Sequence, residues 1–145
     1  MRSILIFVLL LLAAAAPAAA AKPATSHAVN MPILIAPMSK GGRLIAYAYL
    51  NPVLMATSDA ATLKIRDRMP FLQDAFVRDV NAASIQQQND PKTLNIKDLQ
   101  ARFLADSRRV VGMANVVAVS FSQIQIAWIV PGEGVTNQPP VSTSH

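Results

Sequence analysis

From Ile4 to Ala21 the chain carries no charged residue, and this run decides how much apolar material is left to build a fold. Met1-Arg2-Ser3 is a short basic start, Ile4–Leu12 is unbroken apolar sequence, and Ala13–Ala21 is small-residue sequence interrupted only by Pro17 before Lys22. These are the three zones of a secretory signal peptide, with cleavage after Ala19, Ala20 or Ala21 all fitting the small-residue rule. The alternative is a retained membrane anchor, but 18 residues is short for a span and Pro17 would break its helix. The expected location is therefore the periplasm, with an inner-membrane-anchored, periplasm-facing form as the alternative. A membrane is a partner only if this segment is retained.

Removing residues 1–21 takes 18 apolar residues out of a chain that is 52% hydrophobic. What remains has the composition of an ordinary globular domain. The chain has no Cys, so no disulfide supports the fold, no thiol serves as nucleophile and no lipid can be attached to one. A single core in a domain of this size is enough without such a staple.

Lys22–Ala28 reads as a polar linker with one proline, and residues 131–145, with Pro131, Gly132, Gly134, Pro139 and Pro140, read as a disordered tail. The folded unit expected between them is 29–130. Val29–Met38 is apolar with Pro32 and Pro37, which confine a strand to a sheet edge. Gly41-Gly42 is a turn signal, and Arg43–Leu50 alternates Ile45, Tyr47 and Tyr49 with Leu44, Ala46, Ala48 and Leu50. Val53–Ala56 can extend that strand past Pro52.

Thr57-Ser58-Asp59 is a run of helix-capping residues. Leu63, Ile65, Met69, Leu72, Phe76 and Val80 then make a helical stripe, with Pro70 inside it. Pro70 either kinks one helix or divides Ala60–Arg68 from Pro70–Ala82; a kinked continuous helix is the expectation. Ser84–Thr93 is a loop. Asn95 caps a further helix with Ile96, Leu99, Phe103 and Leu104 on its apolar side, Arg108 and Arg109 in its last turn, and Gly112 after its end. In the final strand Val117, Val119 and Phe121 alternate in one phase and Ile124, Ile126 and Trp128 in the other, the mark of a β-bulge near Gln123. The fold class expected is α+β, in the order β-β-α-α-β, with two helices on one face of a small antiparallel or mixed sheet.

No catalytic set is legible. His27 and His145 fall in the expected tails, the eight acidic residues scatter, and there is no phosphate-binding glycine loop or paired histidine. Asp67 and Asp74 lie two helical turns apart, but surface carboxylates without a pocket are solvation rather than an acid–base pair. Neither a cofactor nor a metal is expected, and the chain is not expected to be an enzyme. The net charge of +5 is interspersed, as in Lys64-Ile65-Arg66-Asp67-Arg68, so it reads as a solvated helix face with local ion pairs, and nucleic acid is not an expected partner. Phe71, Phe76, Phe103 and Phe121 are expected in the core. Trp128, near the end of the last strand, is the aromatic expected to stay partly exposed at an interface.

The chain resembles the FliL family of flagellar basal-body-associated proteins. The resemblance rests on Val29-Asn30-Met31-Pro32, Gly42-Arg43-Leu44-Ile45-Ala46-Tyr47 and Arg68-Met69-Pro70-Phe71-Leu72-Gln73-Asp74-Ala75-Phe76, then on the helix–glycine–strand unit Leu99–Gly112 and Val116–Ile126. It implies an extracytoplasmic domain similar to the stomatin-type fold, self-association, and a cell-envelope or flagellar motor protein as partner. It also makes Pro70 and Asp74, with Trp128, the candidate interface residues. Only Arg2 precedes the apolar run here, so the relative implied is an exported soluble one. The alternative function is that of a periplasmic domain that binds a small ligand or lipid in the groove between helices and sheet.

Overall fold

A two-residue turn organises the first half of the fold. Gly41 and Gly42 have φ of 58° and 77°, the pair of positive angles that a type I′ hairpin turn requires and side chains resist. The computed structural model describes residues 27–129, and this turn joins β2 (Leu34–Lys40) to β3 (Arg43–Ala56) in antiparallel register, Lys40 opposite Arg43 and Leu34 opposite Leu50. The expected signal segment and most of the two expected tails lie outside the described residues.

The edge arm is broken where its prolines predict a weak strand. Before β2 lies β1 (Ala28–Asn30), which pairs Ala28 with Met55 and Asn30 with Val53. Both segments run along the same side of β3, and Met31 N–H still reaches Pro52 O at 2.9 Å. They are two pieces of one edge, interrupted at Met31–Ile33 around Pro32. The last residue of the linker expected over Lys22–Ala28 is strand instead, and residues 22–26 lie outside the described residues. Ala28 is in the sheet and His27 O accepts the Ala56 N–H at 2.9 Å, because β3 extends to Ala56 and needs a partner there.

Ser58 caps α1 (Asp59–Asp67), accepting the Ala61 N–H at 3.1 Å. The kinked continuous helix is corrected to two helices. Arg68, at φ −99° and ψ 8°, separates α1 from α2 (Met69–Ala82), with Pro70 in the first turn of α2. Proline has no N–H to give the preceding turn but costs nothing at a helix start, so the chain restarts there. Asn95 caps α3 (Ile96–Val111), accepting the Asp98 N–H at 3.3 Å, and Gly112 closes it at φ 98°.

The last strand, β4 (Val116–Trp128), returns antiparallel on the free side of β3. Phe121 faces Pro52 while Gln123 faces Asn51, leaving Ser122 as the extra residue. This is the bulge that the change of phase announces. The result is one antiparallel sheet with β3 central, and an α+β fold with helices on one face.

The core lies between helices and sheet. Ala46, Ala48, Leu50 and Leu54 of β3 point into it, as do Ile65 of α1, Leu72 and Phe76 of α2, and Leu99 and Phe103 of α3. Phe76 and Phe103 stack at its centre, and Phe121 tilts against Phe103 at 5.9 Å. Two expected core residues are outside it. Leu63 and Phe71 are exposed; each sits one or two residues from a stripe position, which turns it away from the sheet, and the Arg68 guanidinium lies 5.6 Å over the Phe71 ring instead.

Candidate functional site

Ion pairs tie α2 to α3 and run along α3. Arg102 holds this seam: its Nε and Nη2 reach Oδ2 of Asp79 on α2 at 3.0 and 2.8 Å, while its Nη1 reaches Asp98 Oδ2 at 2.9 Å and Ser84 O at 3.0 Å. One guanidinium thus joins two helices and the loop after α2 through charge-assisted bonds. One turn further along α3, Asp106 is buried and its Oδ1 lies 2.9 Å from Arg109 Nη2. Burial pushes the Asp106 carboxyl above the ordinary carboxylate range, against the opposing pull of the Arg109 guanidinium. Ser107 is also buried and returns its hydroxyl to Phe103 O at 2.6 Å.

These groups border an open cleft of about 310 Å³ lined by Ala75, Arg78, Asp79 and Ala82 of α2 with Asp106 and Arg109 of α3. Its carboxylates are matched by guanidinium groups, and neither a hydroxyl nucleophile nor an imidazole lines it. This arrangement fastens helices. It does not form an activated nucleophile–base pair, which needs one group free to move a proton. Among the described residues, no group of three or more His, Cys, Asp or Glu side chains could hold a metal ion. The expected groove between helices and sheet is filled by Phe76, Phe103, Leu50, Leu54 and Ile65, each at most 2% exposed.

The candidate interface residues do not form one surface. Pro70 lies in the first turn of α2 and is exposed, while Asp74 is also exposed and pairs with Arg78 at 2.6 Å one turn away. Trp128 ends β4 opposite Ala46, whose other neighbour is Met38 of β2. The far end of α2, Val80–Ala82, lies beside Pro37 and Ser39, so Pro70 stands about 15 Å back along the helix axis from that end. Trp128 is 47% exposed, the partial exposure expected of it. Asp67 ends α1 and Asp74 lies within α2, so the two sit on separate helices. The ion pairs expected within Lys64–Arg68 are not among those the described residues form.

Sequence reasoning missed the Asp79–Arg102 contact and the burial of Asp106. Asp79 and Arg102 are 23 residues apart, and no local pattern links them. The i,i+4 spacing of Asp98 and Arg102 was the one available signal. Arg108, expected only to complement a helix end, donates from Nε to Val116 O at 3.2 Å and fixes α3 to the start of β4.

No protein-family model matches the chain, and no curated protein matches it at a significant level. Among the described residues, no helix is long and apolar enough to cross a membrane.

Proposed function

We propose that this chain is a non-enzymatic interaction protein of the bacterial cell envelope, exported to the periplasm, that associates with itself and with an envelope assembly. The resemblance to FliL makes the flagellar basal body and motor the first assembly to test. The observation that carries the reading is the distribution of surfaces. The helices cover one face of the sheet, and the opposite face carries Ile35, 53% exposed, and Tyr47, 38% exposed, in neighbouring rows. Interfaces are built from such aromatic and aliphatic anchors. The matched ions of the α2–α3 seam support the non-enzymatic half of the reading.

The test uses the tagged full chain in its own host. Fractionation is expected to recover it from the periplasm, and crosslinking in cells is expected to yield a self-adduct and an adduct with an envelope or motor component. A chain that remains cytoplasmic, or that gives neither adduct while its deletion leaves swimming unchanged, removes the proposal.

A further inference from the structure

The two borders of the sheet are treated differently. On one border, β1 and β2 are short, interrupted around Pro32, and carry Pro37 and Lys40. Breaks, prolines and lysines are the devices that stop an edge from recruiting another strand. On the other border β4 runs for 13 residues, with no proline in it and no Lys, Arg, Asp or Glu between Arg109 and Glu133. Arg108 occupies the carbonyls of Val116 and Val117 at its start. Beyond that point, among the described residues, β4 pairs only with β3.

The register identifies which groups are free. Ile129 donates its backbone N–H to Ile45 O at 2.9 Å. Antiparallel strands turn alternate residues toward each neighbour, so Ala127, Gln125 and Gln123 bond toward β3, while Trp128, Ile126 and Ile124 turn N–H and C=O outward. The side chains of those three stand on the helix side of the sheet, opposite Ala46, Ala48 and Leu50. The helices do not cover them fully: Ile124 is 39% and Trp128 47% exposed. Backbone donors, backbone acceptors and apolar side chains therefore coincide along one uncharged stretch.

We infer that Ile124–Trp128 of β4 is a self-pairing edge, which joins two copies of this chain antiparallel across a two-fold axis. This rests on the reading of the chain as an interaction protein. The occupant is a second copy because the segment is self-complementary. With the axis at Ile126, Ile124 of each copy lies opposite Trp128 of the other, an aromatic–β-branched pair of the kind that stabilises sheets. Gln125 lies opposite Ala127, and no like charges meet. Phe121 and the Arg108 contact place α3 over the first half of β4, so in an antiparallel pair the second copy's α3 lies beyond the end of the first copy's strand.

The test is sedimentation of the full chain with cysteine trapping, which is unambiguous because the chain has no Cys of its own. Ile126→Cys is expected to give a covalent dimer under oxidation or with a short bis-maleimide, and Gln125→Cys far less. Ile126→Pro removes an outward N–H and no bond to β3, so it is expected to keep the monomer fold by circular dichroism and weaken the dimer by at least about tenfold. Ile124→Lys is a second variant with the same expected loss, should the proline disturb the strand. A chain that stays monomeric without trapping at Ile126 overturns the inference, as does a dimer untouched by both variants. Dimerisation that appears only after deletion of residues 131–145 also overturns it, by making the chain's own tail the occupant. If sedimentation fails while the crosslinks to an envelope component persist, this edge is wrong and the proposed function stands.

Discussion

The rings of Phe76 and Phe103 lie 4.1 Å apart between centroids and 3° from parallel. This contact ties α2 to α3 directly above the sheet, and Phe121 completes it from β4. Phe103→Ala removes the member common to both pairs. The expected loss is about 3–5 kcal/mol of unfolding free energy in a denaturant titration. A double-mutant cycle with Phe76→Ala is expected to show coupling of about 0.5–1.5 kcal/mol beyond the loss of buried area.

Arg102 is the next place to cut. Its side chain is 21% exposed and that of Asp79 18%, so the pair is shielded but not dry. Arg102→Ala leaves Asp79 facing a largely closed seam and is expected to cost about 2–3 kcal/mol. Arg102→Lys keeps the charge but cannot span Asp79, Asp98 and Ser84 O together, and is expected to recover less than half of that loss. Thermal unfolding of the two variants side by side measures the difference.

Asp106 makes stability depend on pH in the direction opposite to an exposed, paired carboxylate. Its folded-state affinity for a proton exceeds that of the unfolded chain, whose ordinary value is 3.8. The folded state therefore binds more protons in the window just above 3.8, and the contribution of this group to stability falls as pH rises through that window. Asp106→Asn is expected to remove this slope and to be at least as stable as the parent at neutral pH, since burial penalises the charged carboxylate and its partner Arg109, 74% exposed, offsets little of that cost. The difference between the two stability–pH curves isolates the group from other carboxylates such as Asp90, which Thr93 and the Lys92 N–H hold below the ordinary range. A flat difference curve counts against the burial of Asp106.

Gly112 ends α3 at φ 98°, a backbone angle that L side chains rarely adopt, and a Cβ there would stand 3.0 Å from Asn115 Nδ2. Gly112→Ala is expected to cost about 1–3 kcal/mol. It is also expected to increase hydrogen exchange first in the turn Met113–Asn115, where Asn115 N–H bonds to Gly112 O. Unchanged protection in that turn would show that alanine takes this angle without strain.

Local signals carried most of the fold because they reported local causes. Ser58 and Asn95 cap helices with their own side chains, Gly41 and Gly42 supply their own turn, and the phase change between Phe121 and Ile124 is the bulge itself. The division at Arg68 was less legible, since Pro70 allows either a kink or a fresh start and the choice depends on how both segments meet the sheet. Leu63 and Phe71 misled because apolarity alone does not say which side of a helix faces the core. The candidate site was scarcely legible at all. Asp79 and Arg102 meet only because two helices pack, and Asp106 looked like any surface carboxylate until α2 was laid beside it.

The central position of β3 sets the order in which the sheet can close during synthesis. The β2–β3 hairpin is local and can close as soon as Arg43–Ala56 is available. The other side of β3 must wait for β4, which follows three helices later. Until then Leu50 and Leu54 belong to a hairpin with one open flank, and contacts across so long a loop form slowly. A chain delivered from its N-terminus therefore presents a recruiting strand before its intended neighbour exists. This interval, rather than the finished domain, is where a holdase or a neighbouring unfinished copy competes for the same backbone groups.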